Sequence, residues 1–177
     1  LEAGFSGSQG AVDYSLSLAR EVSEGFNARP NVAQNPDRDG YRSSSASGRL
    51  GLQLSPAQRL EASLLASDLK SQYDGSVAND DRNLQRLQAL GLNWQARWSE
   101  AYSTKLSVSE SRDRYETRPS PYLTVTRLRG YLWQNEWRQG ANLFTVALER
   151  KEDHLENAPI DRGRSQNALA LGYGWRQ

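Results

Sequence analysis

Long stretches of period-two alternation, apolar then polar, restrict what this chain can fold into more than any other feature. In Val12-Asp13-Tyr14-Ser15-Leu16-Ser17-Leu18 the even positions are apolar and the odd ones polar. Arg49-Leu50-Gly51-Leu52-Gln53-Leu54 repeats the pattern with Leu on one face. Leu60, Ala62, Leu64 and Ala66 form a third stripe, and Leu90, Leu92, Trp94, Ala96 and Trp98 a fourth. Leu106 with Val108, then Phe144, Val146 and Leu148, then Leu169, Leu171, Tyr173 and Trp175 continue the series. Side chains alternate faces along a strand, so each stripe marks a strand with one apolar and one polar side. The stretch 123–137 is strand-like but ambiguous, because Leu128 and Leu132 share one face while Tyr131, Trp133 and Trp137 share the other.

These signals predict an all-β fold, an antiparallel meander of about nine long strands near 1–7, 11–26, 42–54, 59–73, 84–98, 103–116, 123–138, 141–155 and 164–177. Many reach twelve residues or more, against about five or six in globular proteins. Strands of that length with one apolar face are what a tilted, membrane-spanning β-barrel needs. The expected connections also alternate. Short ones fall near 8–10, 55–58, 99–102 and 139–140, and long polar ones near 27–41, 74–83, 112–122 and 156–163. Outer-membrane barrels have short periplasmic turns and longer extracellular loops, so the long connections are expected to be extracellular.

Composition agrees. Only 37% of the 177 residues are hydrophobic, below the roughly 45–50% of a typical soluble domain, and mean hydropathy is −0.79. Five Trp, eight Tyr and three Phe argue against disorder. A barrel reconciles the two by turning a polar face to an enclosed lumen and an apolar one to lipid. Leu16, Leu18, Leu50, Leu52, Leu90, Leu92, Phe144, Val146, Leu169 and Leu171 are the expected lipid-facing residues. Trp94, Trp98, Trp133, Trp137 and Trp175 all fall toward the short-turn end, where indole rings suit a membrane–water boundary. The competing reading of these aromatics is the core of a soluble β-sandwich. A net charge of +1, from 22 basic and 21 acidic residues, carries no nucleic-acid footprint. With no Cys, disulfides and thiolate metal sites are excluded.

Short segments along most of the chain resemble the barrel of the TonB-dependent cobalamin (vitamin B12) receptors of the bacterial outer membrane. They are Leu1-Glu2-Ala3-Gly4-Phe5, Asp37-Arg38-Asp39-Gly40-Tyr41, Asp68 through Gln72-Tyr73-Asp74, and Ser107-Val108-Ser109-Glu110-Ser111. The resemblance implies that residues 1–177 are a partial transmembrane barrel domain, without the plug domain and TonB box of such a transporter. TonB would then be engaged only through the absent plug. It further implies capture and import of a large nutrient, most expectedly cobalamin, by a non-enzymatic receptor in contact with outer-membrane lipid and lipopolysaccharide. A receptor for a siderophore or other metal chelate, a soluble carbohydrate-binding β-sandwich and a small outer-membrane hydrolase are the rivals.

The stretch beginning Asn35-Pro36-Asp37-Arg38-Asp39-Gly40 opens like a calcium loop, but its twelfth position is Ala46, where an EF-hand needs a bidentate Glu. Carboxylates of two adjacent loops can still share calcium, which takes six to eight oxygens from flexible donors. By the resemblance, the expected ligands are Asp37, Asp39 and Asp68, with Asn27 standing where the family has an Asp. The bland alternative is that these are solvated turn residues. His154, beside Glu152 and Asp153, is read as an exposed residue rather than a catalytic one. Arg112, Asp113, Arg114, Arg118, Arg127 and Arg129 are read as solvated loop and lumen charges, with lipopolysaccharide contact as the alternative.

Overall fold

A computed structural model describes residues 1–27, 37–75, 80–119 and 122–175. They form nine strands: β1 Glu2–Gln9, β2 Val12–Phe26, β3 Asp39–Ser55, β4 Gln58–Tyr73, β5 Asp81–Arg97, β6 Tyr102–Arg118, β7 Tyr122–Gln139, β8 Asn142–Asn157 and β9 Ile160–Trp175. Each strand pairs antiparallel with the next, giving one sheet in sequence order. The sheet is open, with β1 and β9 as its edges. No helix of the described residues is long and apolar enough to cross a membrane, which bears only on helices.

Turn chemistry explains why neighbours in sequence pair in space. The links Gly10-Ala11 and Gly140-Ala141 are two-residue loops led by a glycine with φ of 58° and 60°. Glycine at the first position of such a loop takes this backbone without steric cost. The β2–β3 ladder slips between Ser23 and Phe26. There Gly25 has φ 68°, and a Cβ on it would lie 1.9 Å from the Asp39 carbonyl oxygen, so the slip requires glycine.

There is almost no interior. Ala96 and Val125 are the only buried apolar side chains among the described residues. The accessible surface is 12610 Å², against about 8,600 Å² for a compact folded chain of this mass. A sandwich is therefore not what this chain forms. Leu50, Leu92 and Phe144 would be core residues there, yet they are 52%, 46% and 41% exposed.

Two expected loops are strand instead. Residues 112–118 of the expected 112–122 connection belong to β6 and residue 122 to β7, while 120–121 lie outside the described residues. Most of the expected 156–163 connection belongs to β8 and β9, joined through Ala158 and Pro159. The cause is visible in Ser109-Glu110-Ser111-Arg112-Asp113-Arg114, where both faces are polar and period two vanishes from the sequence. Backbone pairing with β5 and β7 nevertheless continues through it. The first two long connections stand, at 27–38 and 74–80, although 28–36 and 76–79 lie outside the described residues.

Register also orients β7. Leu132 opposes Ser107 and Glu149, on the polar side, while Trp133 opposes Leu106 and Leu148, on the apolar side. Tyr131, Trp133 and Trp137 therefore join the apolar face, and Leu128 and Leu132 the polar one.

Candidate functional surfaces

The apolar face is the more exposed of the two. Along β8, Phe144, Val146 and Leu148 are exposed, while the alternating Thr145, Ala147 and Glu149 are half-buried. Water would favour the opposite arrangement. Among the expected apolar-face residues, Leu90 is 64% and Leu171 74% exposed. Leu16, Leu18, Leu50, Leu52, Leu90, Leu92, Phe144, Val146, Leu169 and Leu171 all lie on this one side of the sheet.

The apolar band does not follow the ladder rows; it crosses them. The row holding Leu16 runs through Gly48, Leu64 and Leu90, then becomes Glu110, Arg129, Glu152 and Ser165. On β9 the corresponding band position is Leu171, six residues nearer the turn end than Ser165. Six residues at about 3.3 Å each, over seven strand spacings of about 4.8 Å, make a slope of about 30°. Closed barrels tilt their strands by roughly 35–45°.

Aromatic residues edge the band at the turn end. Trp94 and Trp98 stack edge-to-face with centroids 5.8 Å apart, and Trp98 Nε1 donates to Thr104 Oγ1 at 2.9 Å. Trp137 and Phe144 lie 6.3 Å apart, and Phe144 and Tyr173 5.3 Å. Trp133 is on the same face, and Trp175 opposes Asn142 at its turn-end margin. Trp98 and Tyr173 thus combine an aromatic neighbour with a polar partner, the latter through its hydroxyl to Asn142 at 2.6 Å.

The opposite face is predominantly polar, interrupted by single leucines such as Leu65, Leu128 and Leu132. Arg49 contacts Asp13 at 2.9 Å and Glu61 at 3.2 Å, and Arg59 contacts the same two carboxylates at 2.8 and 3.6 Å. Further along, Ser107 Oγ donates to Asn93 Oδ1 at 2.7 Å, Tyr115 to Asn83 at 2.6 Å, and Gln85 to Asp113 at 3.2 Å. No sequence signal announced the four-residue cluster, since Asp13 and Arg49 are brought together only by strand pairing.

At the loop end, Phe26 opposes Asp39, so Asn27, Asp37 and Asp39 all lie within two residues of that last pair of the β2–β3 ladder. Asp68 does not join them. It sits five residues below Tyr73, about 16 Å along β4, on the apolar-face side, held by Arg86 Nη2 at 3.1 Å. Asp74 and Asp81, both buried at 8% and 7% exposure, occupy the loop end instead. Gln72 joins the two hairpins there, accepting from Gly40 N at 3.3 Å and donating to Asp80 at 3.3 Å. Burial, and then the Asp81 carboxylate, push the Tyr73 hydroxyl above its ordinary value. Asp37 Oδ1 is shielded from solvent with no hydrogen-bond partner among the described residues. Among those residues no three His, Cys, Asp or Glu side chains converge closely enough to hold a metal. Asn35 and Pro36 of the sequence-predicted calcium loop lie outside the described residues. Asp74 was legible in the sequence as the acid that follows Tyr73 and precedes Gly75, a turn-forming neighbourhood.

His154 is on the apolar-face side near the loop end, with Nε2 3.0 Å from Asp161 and 3.6 Å from Glu156. In comparisons with known proteins, the chain matches no family model and no curated protein sequence.

Proposed function

We propose that this chain forms part of the wall of an outer-membrane β-barrel whose loops capture a large nutrient for import. The observation that carries the membrane reading is the slanted apolar band. A hydrocarbon slab lies at constant depth, so tilted strands must meet it at successively shifted residues, whereas a sheet covered by another layer has no need of such a drift. The exposed Leu, the aromatic margin and the polar opposite face agree with it. The polar face would line the lumen, and β1 and β9 are the edges through which further strands would close the wall.

The test is extraction and reconstitution. Material that enters lipid vesicles with protected strands and stays aggregated in plain buffer supports the reading. A stable monomer in water without detergent overturns it.

Cobalamin as the cargo rests on the family resemblance alone. Bacteria lacking their own cobalamin receptor, and carrying this protein in the outer membrane, should bind labelled cobalamin, more weakly after chelation of calcium. Binding of ferric siderophores without cobalamin would reassign the cargo to a metal chelate. Calcium is proposed at the loop end, where it would have to draw together Asp37, Asp39, Asp74 and Asp81, which do not converge as they stand, with Asn27 at its edge. Support comes from the shielded Asp37 Oδ1, which a cation would satisfy. When bound, the ion would order the two loops and lend positive charge to the capture surface.

A further inference from the structure

We propose that Arg20, Arg42 and Lys70 form a site for the phosphorylated headgroup of an outer-leaflet lipid, with the lipid's acyl chain in the groove beside them. The proposal rests on the membrane reading above. The three cations lie on β2, β3 and β4, on the apolar-face side, just beyond the band toward the loop end. All three are exposed. Arg42 directly opposes Lys70, and Arg20 opposes Ser44, two residues along β3 from Arg42. Like charges opposed across a ladder repel. None of the three makes an ion pair among the described residues. The nearest carboxylate on this face, Asp68, is engaged by Arg86 through Nε at 3.2 Å and Nη2 at 3.1 Å. Glu24, one row further toward the loop end, pairs with Arg38 at 3.3 Å.

The surface immediately below is apolar and hollow. Leu1, Ala3, Leu18, Ala46 and Ala66 line the apolar part of a groove of about 510 Å³, whose rim carries Arg20 and the paired Asp68 and Arg86, with Arg42 and Lys70 one row beyond it. Ala46 and Ala66 keep its floor low between the taller Leu18 and Gln88, which flank them on either side in the same ladder row. A phosphate placed against three cations relieves their repulsion and gains charge-assisted hydrogen bonds from the two guanidinium forks. An acyl chain continuing from that phosphate then has an apolar trough to occupy, where a free anion would use only the rim. This arrangement selects a phospholipid or phosphorylated glycolipid over free phosphate.

The experiment uses the full chain in phosphatidylcholine vesicles doped with diphosphorylated lipid A or with its dephosphorylated form. Lipid retained after release is counted by native mass spectrometry, and insertion is followed separately by protease protection. The expected result is a preference for the phosphorylated form on the order of ten-fold, lost in R20Q/R42Q/K70Q. It should persist in R97Q/K105Q/R138Q, which removes the same charge from the polar face near the turns. Inorganic phosphate should displace the lipid only at high concentration. Insertion with equal retention of both lipids, or equal loss in both triple variants, overturns the headgroup site alone. Failure to insert overturns the membrane reading and the site with it.

Discussion

Asp13 on β2 and Arg59 on β4 meet at 2.8 Å although the whole of β3 lies between them. Gly51 makes this possible. It opposes Asp13 on one side and Glu61 on the other, and a Cβ there would lie 2.2 Å from Arg59 Nη2 and 2.6 Å from Asp13 Oδ2. The missing side chain is the window through which two non-adjacent strands are tied together.

Gly51→Val should therefore break the tie without touching any charged residue. Its unfolding midpoint in detergent should fall, and the fall should shrink markedly when Asp13→Asn is already present. Unfolding curves for the two single variants and the double variant check this. Strictly additive effects would mean that Gly51 matters for reasons other than the Asp13–Arg59 contact.

Charge on the two faces should have opposite consequences. Leu92→Arg puts a cation in the middle of the apolar band and, in a bilayer, should destabilise by about 2–4 kcal/mol. Gln95→Arg, on the polar face, should change little. Equilibrium unfolding from vesicles measures both. Equal tolerance of the two substitutions would contradict a lipid-facing band.

The aromatic margin predicts depth. Trp98 and Trp137 should be quenched more strongly by lipids brominated near the glycerol backbone than by those brominated near the chain end, because indole N–H groups stay within reach of water. Single-Trp variants, with the other four replaced by Phe, provide the measurement. Strong quenching by deep bromines would place the slab further toward the turns than the proposed band.

Calcium binding should follow the loop-end acids rather than the sequence-predicted set. Asp37→Asn and Asp74→Asn should each weaken calcium binding by about ten-fold, as expected on losing one ligand charge. Asp68→Asn should leave it unchanged, since Asp68 faces Arg86 some distance below. Isothermal titration of the inserted protein with calcium decides it, and a loss of affinity in Asp68→Asn would restore Asp68 to the ligand set.

The strands were most legible where one face is apolar, as at Leu50 and Leu52 or Phe144 and Val146, because period two appears there directly in the residue types. They were illegible beyond the band. Around Arg112 and Arg164 both faces meet polar surroundings, so nothing in the residue order distinguishes a paired strand from a solvated loop. Only the continuing ladder does. The acid set was half legible for a related reason. Asp37 and Asp39 are close in sequence, but whether Asp68 or Asp74 shares their end of the sheet depends on how far β4 extends, which is a matter of register.

Residue order alone thus determined the number of strands, their antiparallel succession through short turns, and which side of most of them is apolar, since all three are set within a few residues of one another. Tertiary structure decided what depends on pairing across strands. That includes the facing of β7, the slope of the apolar band against the ladder, the Asp13–Arg49–Glu61–Arg59 cluster, and the separation of Asp68 from the loop-end acids. A side chain's own neighbours in sequence dictate its face, but its partners are dictated by the register of backbone hydrogen bonds with residues far along the chain.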